Sequence, residues 1–429
     1  MPLRRTVVRP LATETSGPTR ARRRAAFAVV LAGLVLAGIV VASEIASRTL
    51  RNFICDGRGG GFHVLNADYG WTHRPDARVT SHGCVGKRYE FRAVVETNSK
   101  GFCDKEYAYE RLPGTPRVVA LGDSVVEAAQ VAREQGFTEL LEQRWSAAGT
   151  AVDVINMGVA GFSTHNQLLL YRSEVRKYSP DLVVSEFNLQ NDVGELSPAI
   201  HARVYSGSGG LPTADVRLDD DGEVGIDTST FRAFAAEGER RMARVNRLDF
   251  WLTQNLYLYR RVRGLLAEEG AVGSAGQSAS ISSKPLMDMY RQPEPPEWQL
   301  AWKLTAAVYR QLAREVAGDG ATLVVAIVPT KEFVSEANWR SFSQWTLGAP
   351  PAGSHWDRQA PHRRIEAILT ELGIPFIDLT GAMRDAFAKT GKTGFFEFDP
   401  HPNADGHRVI ADALEPYLSE RLQGVRAAR

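Results

Sequence analysis

A serine that has the setting of a nucleophile lies in the segment Gly122-Asp123-Ser124-Val125-Val126. The residues before it, 117–121, are apolar and β-branched, which is typical of a short buried parallel strand. The residues after it, 127–145, have the periodicity of an amphipathic helix. We therefore expect Ser124 to cap that helix, where unpaired backbone N–H groups and the positive end of the helix dipole stabilise an anion formed beside the serine.

A carboxylate and an imidazole occur together near the other end of the chain, in Asp399-Pro400-His401, just before a predicted helix over residues 404–421. A serine hydroxyl is a poor nucleophile until a base removes its proton. A histidine does this best when a carboxylate fixes its tautomer and supports its positive charge. The sequence therefore predicts Ser124 as nucleophile, His401 as general base and Asp399 as the supporting acid. Either segment alone also occurs as an ordinary turn, so the prediction depends on finding both.

The serine segment and the Asp399-Pro400-His401 segment, together with two segments between them, resemble the four ordered sequence blocks of the SGNH or GDSL hydrolases. The four segments are Gly122-Asp123-Ser124, Asn156-Met157-Gly158-Val159-Ala160-Gly161, Asn188-Leu189-Gln190-Asn191-Asp192 and Asp399-Pro400-His401. The resemblance implies a serine esterase whose oxyanion hole consists of the Ser124 N–H, the Gly161 N–H and the Asn191 side chain. That chemistry is sensible, because a glycine N–H can approach an oxyanion closely and a carboxamide is a neutral, fixed donor.

The chain departs from the family pattern at two points. Leu189 and Gln190 stand before the Asn-Asp pair, where the family usually has a glycine, and Asp399 precedes His401 by two residues instead of three. Glu397 is therefore an alternative acid. The shorter spacing and the segment 328–332 resemble the alginate O-acetyltransferases. Two alternatives to an esterase stay open: an O-acyltransferase that modifies a cell-envelope carbohydrate, and a non-catalytic binding protein that has the same fold.

Other polar residues near these blocks have ordinary structural interpretations. Asp123 is expected to brace its turn, His165 to face solvent at the start of a helix, and His407 to be structural. Lys331 and Glu332 form a charged loop or line a substrate entrance. No cofactor or metal is predicted, because the nine histidines are scattered, no His-x-x-x-His or Cys-x-x-Cys spacing occurs, and no phosphate-binding loop motif is present.

Five short apolar runs are available to position these blocks. They predict strands over residues 117–121, 152–156, 182–187, 322–328 and 374–379. Because the carboxyl ends of parallel strands meet at one edge of a sheet, the loops that follow the first three should converge there. We expect a mostly parallel five-stranded sheet in a three-layer α/β/α domain, which the resemblance describes as flavodoxin-like.

The predicted domain order begins with a small β-rich region over residues 52–116. A hydrolase-like domain follows over residues 117–425, with a helical insertion at about 195–300. Within the insertion, residues 228–266 predict a helix and the Gly- and Ser-rich residues 270–283 a loop. The insertion is either a helical addition packed on the core or a lid over the site.

Residues 25–43 form an uncharged apolar run that would span roughly 28 Å as a helix, enough to cross a bilayer. Seven arginines and only one acid, Glu14, precede it. The run therefore predicts a single-pass membrane anchor, with residues 1–24 in the cytoplasm and the catalytic domain on the extracytoplasmic side of the cell membrane. A cleavable signal peptide is the alternative interpretation.

Composition limits the partners. The whole chain has a net charge of +1, and residues 1–24 contribute six net positive charges. The rest of the chain therefore carries about five net negative charges, which disfavours nucleic acid as a partner. We expect a small-molecule or carbohydrate ester instead, and the oligomeric state is not predicted. Cys55, Cys84 and Cys103 allow one disulfide in an exported domain; Cys55 with Cys84 is favoured, although three pairings are possible.

Overall fold

The computed structural model describes residues 18–51, 63–189, 191–197, 199–200, 214–244, 248, 252, 256–259 and 284–427. By its internal contacts the chain divides into two compact units. The first comprises Met1–Ile54 and Asn246–Gly270, and the second comprises Cys55–Val245 and Ala271–Arg429. Every predicted site residue belongs to the second unit.

Helices and strands alternate through most of the second unit. Within the described residues the α-helices α1 to α13 are, in chain order, Pro18–Arg51, Ser124–Glu127, Phe137–Ala147, Thr164–Ser173, Asp192–Leu196, Ser229–Arg244, Lys284–Met287, Pro296–Gly318, Lys331–Val334, Glu336–Phe342, Ala360–Glu371, Thr380–Thr390 and Ala404–Ala427. The strands β1 to β13 of the same residues are His63–Asn66, Gly70–His73, Arg78–Val85, Arg88–Glu96, Arg117–Gly122, Asp153–Gly158, Leu182–Asn188, Asp215–Leu218, Val224–Asp227, Arg291–Gln292, Thr322–Val328, His355–Trp356 and Phe376–Asp378.

The central sheet has five strands in the order β13-β11-β7-β5-β6, and every neighbouring pair is parallel. β5 lies between β6 and β7, so that Val119 is opposite Ile155 on one side and Val183 on the other. The predicted five-stranded sheet is confirmed, and it is entirely parallel. The strand bounds differ from the predicted ones by no more than two residues at either end.

Helices cover both faces of this sheet, because its strands are apolar on both sides. Along β5, Val119 and Leu121 point into a core that also contains residues of α4, α8 and α11. Val118 and Ala120 point into a second core, shared with α3 and α13. The three-layer α/β/α architecture is confirmed, and it brings the loops after β5, β6 and β7 to one edge of the sheet.

Two antiparallel hairpins, β1–β2 and β3–β4, precede the sheet, where the sequence predicted a β-rich region. Cys84, in β3, is disulfide-bonded. Cys103 is a buried free thiol. The predicted partner of Cys84, Cys55, lies outside the described residues.

The sequence predicted a helical insertion, but the structure shows that the insertion is not entirely helical. It contains the hairpin β8–β9, whose turn is closed by the Asp219 carboxylate; this accepts the N–H groups of Asp221 and Glu223. Alternating apolar residues around an Asp-Asp-Asp-Gly turn explain the difference. α6 follows as predicted, and its Phe231 is fully buried. Most of the predicted helix after residue 244, and the predicted loop over 270–283, lie outside the described residues.

In the first unit, α1 contains the stretch Arg22–Thr49, which is long and apolar enough to cross a membrane. A signal sequence near an N-terminus would have the same properties. At the end of the apolar run, the Glu44 carboxylate accepts the backbone N–H groups of Tyr257 and Leu258, at 2.7 and 2.8 Å. The membrane topology stays a prediction.

Candidate active site

The turn between β5 and α2 carries Ser124. A Cβ atom on Gly122 would lie 2.3 Å from Val126 Cγ2 and 2.6 Å from Glu186 Oε2, so glycine is needed for the chain to turn here. Asp123 caps α2, and its carboxylate accepts the Val125 N–H at 2.8 Å. Ser124 is the first residue of the helix, and therefore its own N–H has no partner within the helix.

Two expectations about this turn were wrong. Asp123, and not Ser124, is the helix cap, and the helix predicted over residues 127–145 is interrupted. α2 ends at Glu127, Ala128 takes a left-handed conformation with φ +55°, and α3 begins at Phe137. Tertiary contacts of the buried Glu127 carboxylate, with the His73 ring and the Ala160 N–H, override the helix propensity of the alanine-rich segment.

Three predicted residues form one hydrogen-bonded line. His401 Nε2 lies 2.7 Å from Ser124 Oγ, and His401 Nδ1 lies 2.6 Å from Asp399 Oδ1. The same Asp399 oxygen accepts the His401 backbone N–H at 3.0 Å, which the two-residue spacing allows. The structure places Asp399 against the imidazole, whereas the alternative acid, Glu397, is exposed. The side chains of His401 and Asp399 are each 22% exposed, so a small molecule has access to them.

The electrostatics of this line suit a general base. Burial acts to lower the pKa of His401, but the hydrogen bond and negative charge of Asp399 outweigh it and raise the pKa above its ordinary value of 6.5. Burial acts to raise the pKa of Asp399, but its bonds to His401 outweigh that effect and lower the pKa. Asp399 therefore stays ionised while His401 gains or loses a proton.

The loop that carries Asp399 is fixed by a residue of the β3–β4 hairpin. The Glu90 carboxylate accepts the backbone N–H groups of Phe398 and Asp399, at 2.7 and 3.0 Å. On the other side of the loop, Lys331 Nζ donates to the Glu397 carbonyl at 2.8 Å. Because charge-assisted hydrogen bonds are stronger than neutral ones, both contacts restrict the position of the Asp399 carboxylate.

The predicted oxyanion donors, Gly161 and Asn191, follow β6 and β7, the two strands beside β5. Gly161 follows β6 with φ +78°, a conformation that favours glycine. Asn191 Nδ2 donates to Asp123 Oδ2 at 3.3 Å, and Asn188 Nδ2 donates to the same oxygen at 3.0 Å. A carboxamide nitrogen carries two hydrogens, so Asn191 retains a second one for another acceptor.

A second buried carboxyl group lies beneath the serine turn. Glu186 Oε2 accepts the Asp123 N–H at 3.2 Å, and both side chains are almost fully buried. Burial raises the pKa of Asp123. Burial, together with the charges of Asp123 and Asp192, raises the pKa of Glu186 well above its ordinary value. The pair therefore keeps a proton at a pH where two exposed carboxyl groups would have lost both.

The other polar residues that the sequence singled out are mostly structural. The prediction that His165 faces solvent was wrong: it is buried, and its Nδ1 lies 2.6 Å from Ser163 Oγ. His407 is buried and stacks on Phe137, and burial lowers its pKa to about 3. Lys331 begins the short helix α9 and does not belong to an open loop.

Three residues of the site have no role in the sequence-based prediction: Asn188, Glu186 and Glu90. Asn188 lies inside the third block, where its type and its place at the end of a strand were available signals. Glu186 is a lone charged residue in an apolar strand, which is itself unusual. Glu90 is separated from Asp399 by 309 positions, and no local pattern links the two residues.

Comparisons with solved structures found only distant likeness. A structure described as TesA is 13% identical with a TM-score of 0.34, and the match covers 71% of this chain and 99% of that one. An acetyl xylan esterase, AlAXEase, is 14% identical with a TM-score of 0.34, over 70% of this chain and 97% of that one. A catalytic mutant of Axe2, an acetylxylan esterase from Geobacillus stearothermophilus, is 12% identical with a TM-score of 0.34, over 71% and 94%. No protein-family model and no curated protein matches the chain.

Proposed function

We propose that the protein is a serine-dependent carboxylic ester hydrolase. The observation that carries this proposal is the continuous line from Ser124 Oγ through the His401 ring to Asp399, with both contacts at hydrogen-bonding distance. Nucleophile, base and orienting acid are the three groups that acyl transfer through a serine requires. The resemblance of the sequence blocks to the SGNH or GDSL hydrolases supports the same function.

In the proposed reaction, His401 Nε2 takes the proton of Ser124 as Oγ attacks the ester carbonyl. Asp399 holds the proton of His401 on Nδ1 and stabilises the imidazolium. The carbonyl oxygen becomes an oxyanion held by the Ser124 N–H, the Gly161 N–H and the second hydrogen of Asn191 Nδ2. His401 then protonates the leaving alcohol, and water, activated by the same imidazole, releases the acid from the acyl-enzyme.

We further propose that the enzyme works outside the cytoplasm. The apolar part of α1 would anchor it in the membrane, with the arginine-rich residues before it in the cytoplasm. The disulfide at Cys84 supports this location, because such bonds persist in oxidising compartments.

The test is covalent labelling of the detergent-solubilised full chain with a fluorophosphonate probe, followed by an assay on a short-chain aryl ester. We expect labelling and turnover in the wild type, and their loss in Ser124→Ala and His401→Ala. Ser341→Ala and His355→Ala are matched controls, since both side chains are exposed. A folded wild type that is not labelled would refute the proposal and favour the non-catalytic binding protein.

A second assay separates hydrolysis from transfer to a carbohydrate. Both reactions form the same acyl-enzyme, and they differ in whether water or a sugar hydroxyl accepts the acyl group. We expect the free acid to remain the main product when soluble oligosaccharides are added in excess. If acylated oligosaccharide becomes the main product, the enzyme is an O-acyltransferase.

A further inference from the structure

A second cluster of reactive side chains lies apart from the Ser124, His401 and Asp399 line. It consists of His63 in β1, His73 in β2 and Glu127 at the end of α2. One nitrogen of each histidine and one carboxylate oxygen lie within 4.8 Å of one another. The two histidines are directly opposite each other in the β1–β2 hairpin, which fixes their relative position. We refer to these three residues as the His-His-Glu cluster.

Two members of the cluster are oriented by bonds on their far sides. His73 Nδ1 lies 2.8 Å from the Gly101 carbonyl, which can only accept, so that Nδ1 carries the proton. Glu127 Oε2 accepts the Ala160 N–H at 2.7 Å. These contacts direct His73 Nε2 and Glu127 Oε1 toward each other, 3.1 Å apart. A histidine that donates one N–H to a carbonyl and presents its other nitrogen is the usual arrangement around a bound metal ion.

The facing atoms need a proton or a metal ion between them. With its proton on Nδ1, a neutral His73 presents a lone pair on Nε2 to the Glu127 carboxylate, and two acceptors at 3.1 Å repel each other. Either a proton shared by the two groups or a metal ion removes that repulsion. A proton joins only two atoms, whereas this space also receives a nitrogen of His63, whose ring centroid is 4.8 Å from that of His73.

We propose that the His-His-Glu cluster binds a divalent transition-metal ion of the zinc class. Two imidazoles and one carboxylate are a common three-residue ligand set for zinc, and calcium or magnesium would require more oxygen donors. Cys103 Sγ lies 3.9 Å from His73 Nε2, which adds a soft donor beside the site. His63 is half-buried, whereas His73 and Glu127 are buried.

The bound ion would connect the β1–β2 hairpin to the loop after β6. Glu127 holds that loop through the Ala160 N–H, one residue before Gly161. The ion would therefore stabilise the contact between the hairpin and that loop, and would take no part in the ester chemistry. The proposal does not depend on the proposed function, because metal binding is measurable in the inactive Ser124→Ala variant.

The test measures metal binding directly. The full chain in detergent is stripped with a chelator and titrated with Co²⁺, and visible ligand-field absorption reports the coordination. Thermal unfolding is followed with and without Zn²⁺. We expect one cobalt per chain, bands of low-symmetry coordination and a higher unfolding temperature with Zn²⁺, because an ion bound only to the folded state stabilises it.

Variants locate the ion. His63→Ala, His73→Ala and Glu127→Gln should each weaken Co²⁺ binding by about a hundredfold or more, whereas the exposed His355→Ala should bind like the wild type. His63→Ala is the decisive variant, since His63 is the least buried ligand. The circular dichroism spectrum of this variant verifies that it folds. A wild type that binds no Co²⁺ above the level of the His63→Ala variant would overturn the proposal. So would nitrogen NMR of the wild type with added Zn²⁺ that finds His73 protonated on both ring nitrogens.

Discussion

At the scale of single residues, the bond between His401 and Asp399 sets how the proposed reaction should depend on pH. His401 must be neutral to accept the Ser124 proton, and its pKa is raised above 6.5 mainly because the Asp399 bond outweighs burial. We expect kcat/KM to rise with pH, with a midpoint above 6.5, and to fall as pH drops through the pKa of His401. Asp399→Asn should lower this midpoint and reduce kcat by about 10⁴-fold, because the tautomer is no longer fixed.

The same experiment distinguishes the two acids that the sequence left open. Glu397→Gln changes an exposed side chain, and we expect its pH profile and kcat to match those of the wild type. A large loss in Glu397→Gln together with a mild one in Asp399→Asn would reverse the assignment.

Asn191 and Asn188 both donate to Asp123 Oδ2, but only Asn191 is assigned to the oxyanion. Asn191→Ala should reduce kcat by about a hundredfold or more with little change in KM, because the missing donor acts mainly in the transition state. Asn188→Ala removes the shorter bond to Asp123 and is the matched control, with an expected loss of less than tenfold. Steady-state kinetics on one aryl ester measures both, and equal activity of Asn191→Ala and wild type would refute the role.

At the scale of elements, the β5–α2 turn depends on the missing side chain of Gly122. Gly122→Ala would place a Cβ 2.3 Å from Val126 Cγ2 and 2.6 Å from Glu186 Oε2, in a fully packed region. We expect a loss of about 1–3 kcal/mol in the free energy of unfolding, the usual cost of overpacking. Gly318→Ala, at the end of α8, is the control, because nothing lies within 4 Å of its Cβ position. Denaturant unfolding would contradict the argument if both variants were equally stable.

The β3–β4 hairpin contributes to the site through Glu90. Glu90→Ala leaves the N–H groups of Phe398 and Asp399 without their carboxylate, and the loop should lose its fixed position. We expect kcat to fall by about tenfold or more with KM nearly unchanged, because a misplaced catalytic group affects the reaction step. Glu90→Gln retains one acceptor oxygen and should recover part of the activity.

The control for Glu90 is Glu96→Ala, on the same strand, where the carboxylate pairs with Arg78 at the surface. An exposed pair contributes little, so this variant should behave like the wild type. Equal kinetics for Glu90→Ala and Glu96→Ala would show that the loop does not need the hairpin.

Local patterns in the sequence predicted elements well and contacts between distant elements poorly. The apolar β-branched run at 322–328 gave the bounds of β11, because a buried parallel strand has a strong local signature. The interruption after Glu127 was not predictable in this way, since it depends on His73 and Ala160, which lie elsewhere in the chain. The Glu90 support and the His-His-Glu cluster escaped prediction for the same reason.

At the scale of the whole molecule, the β-rich region before the sheet is part of the site's support. Glu90 fixes the loop of Asp399, and His73 contacts Glu127 at the end of the serine helix. Tyr107 further joins this region to α3, through its hydroxyl and the Glu142 carboxylate, at 2.5 Å. The predicted boundary between residues 116 and 117 therefore marks a change in sequence pattern. The regions on its two sides nevertheless make contacts on which the site depends.

The last prediction concerns the side of the membrane on which the second unit lies. Seven arginines before the apolar run of α1 should hold the N-terminus in the cytoplasm and send the rest of the chain across. A membrane-impermeant fluorophosphonate should label Ser124 in intact cells as strongly as in permeabilised cells, with Ser124→Ala as the unlabelled control. An externally added protease should digest the second unit in the same cells, which tests topology independently of catalysis.

An N-terminal tag that stays with the membrane-bound enzyme would establish an uncleaved anchor. Labelling and digestion that require permeabilisation would place the second unit in the cytoplasm, and a tag lost from a labelled enzyme would identify a cleaved signal peptide.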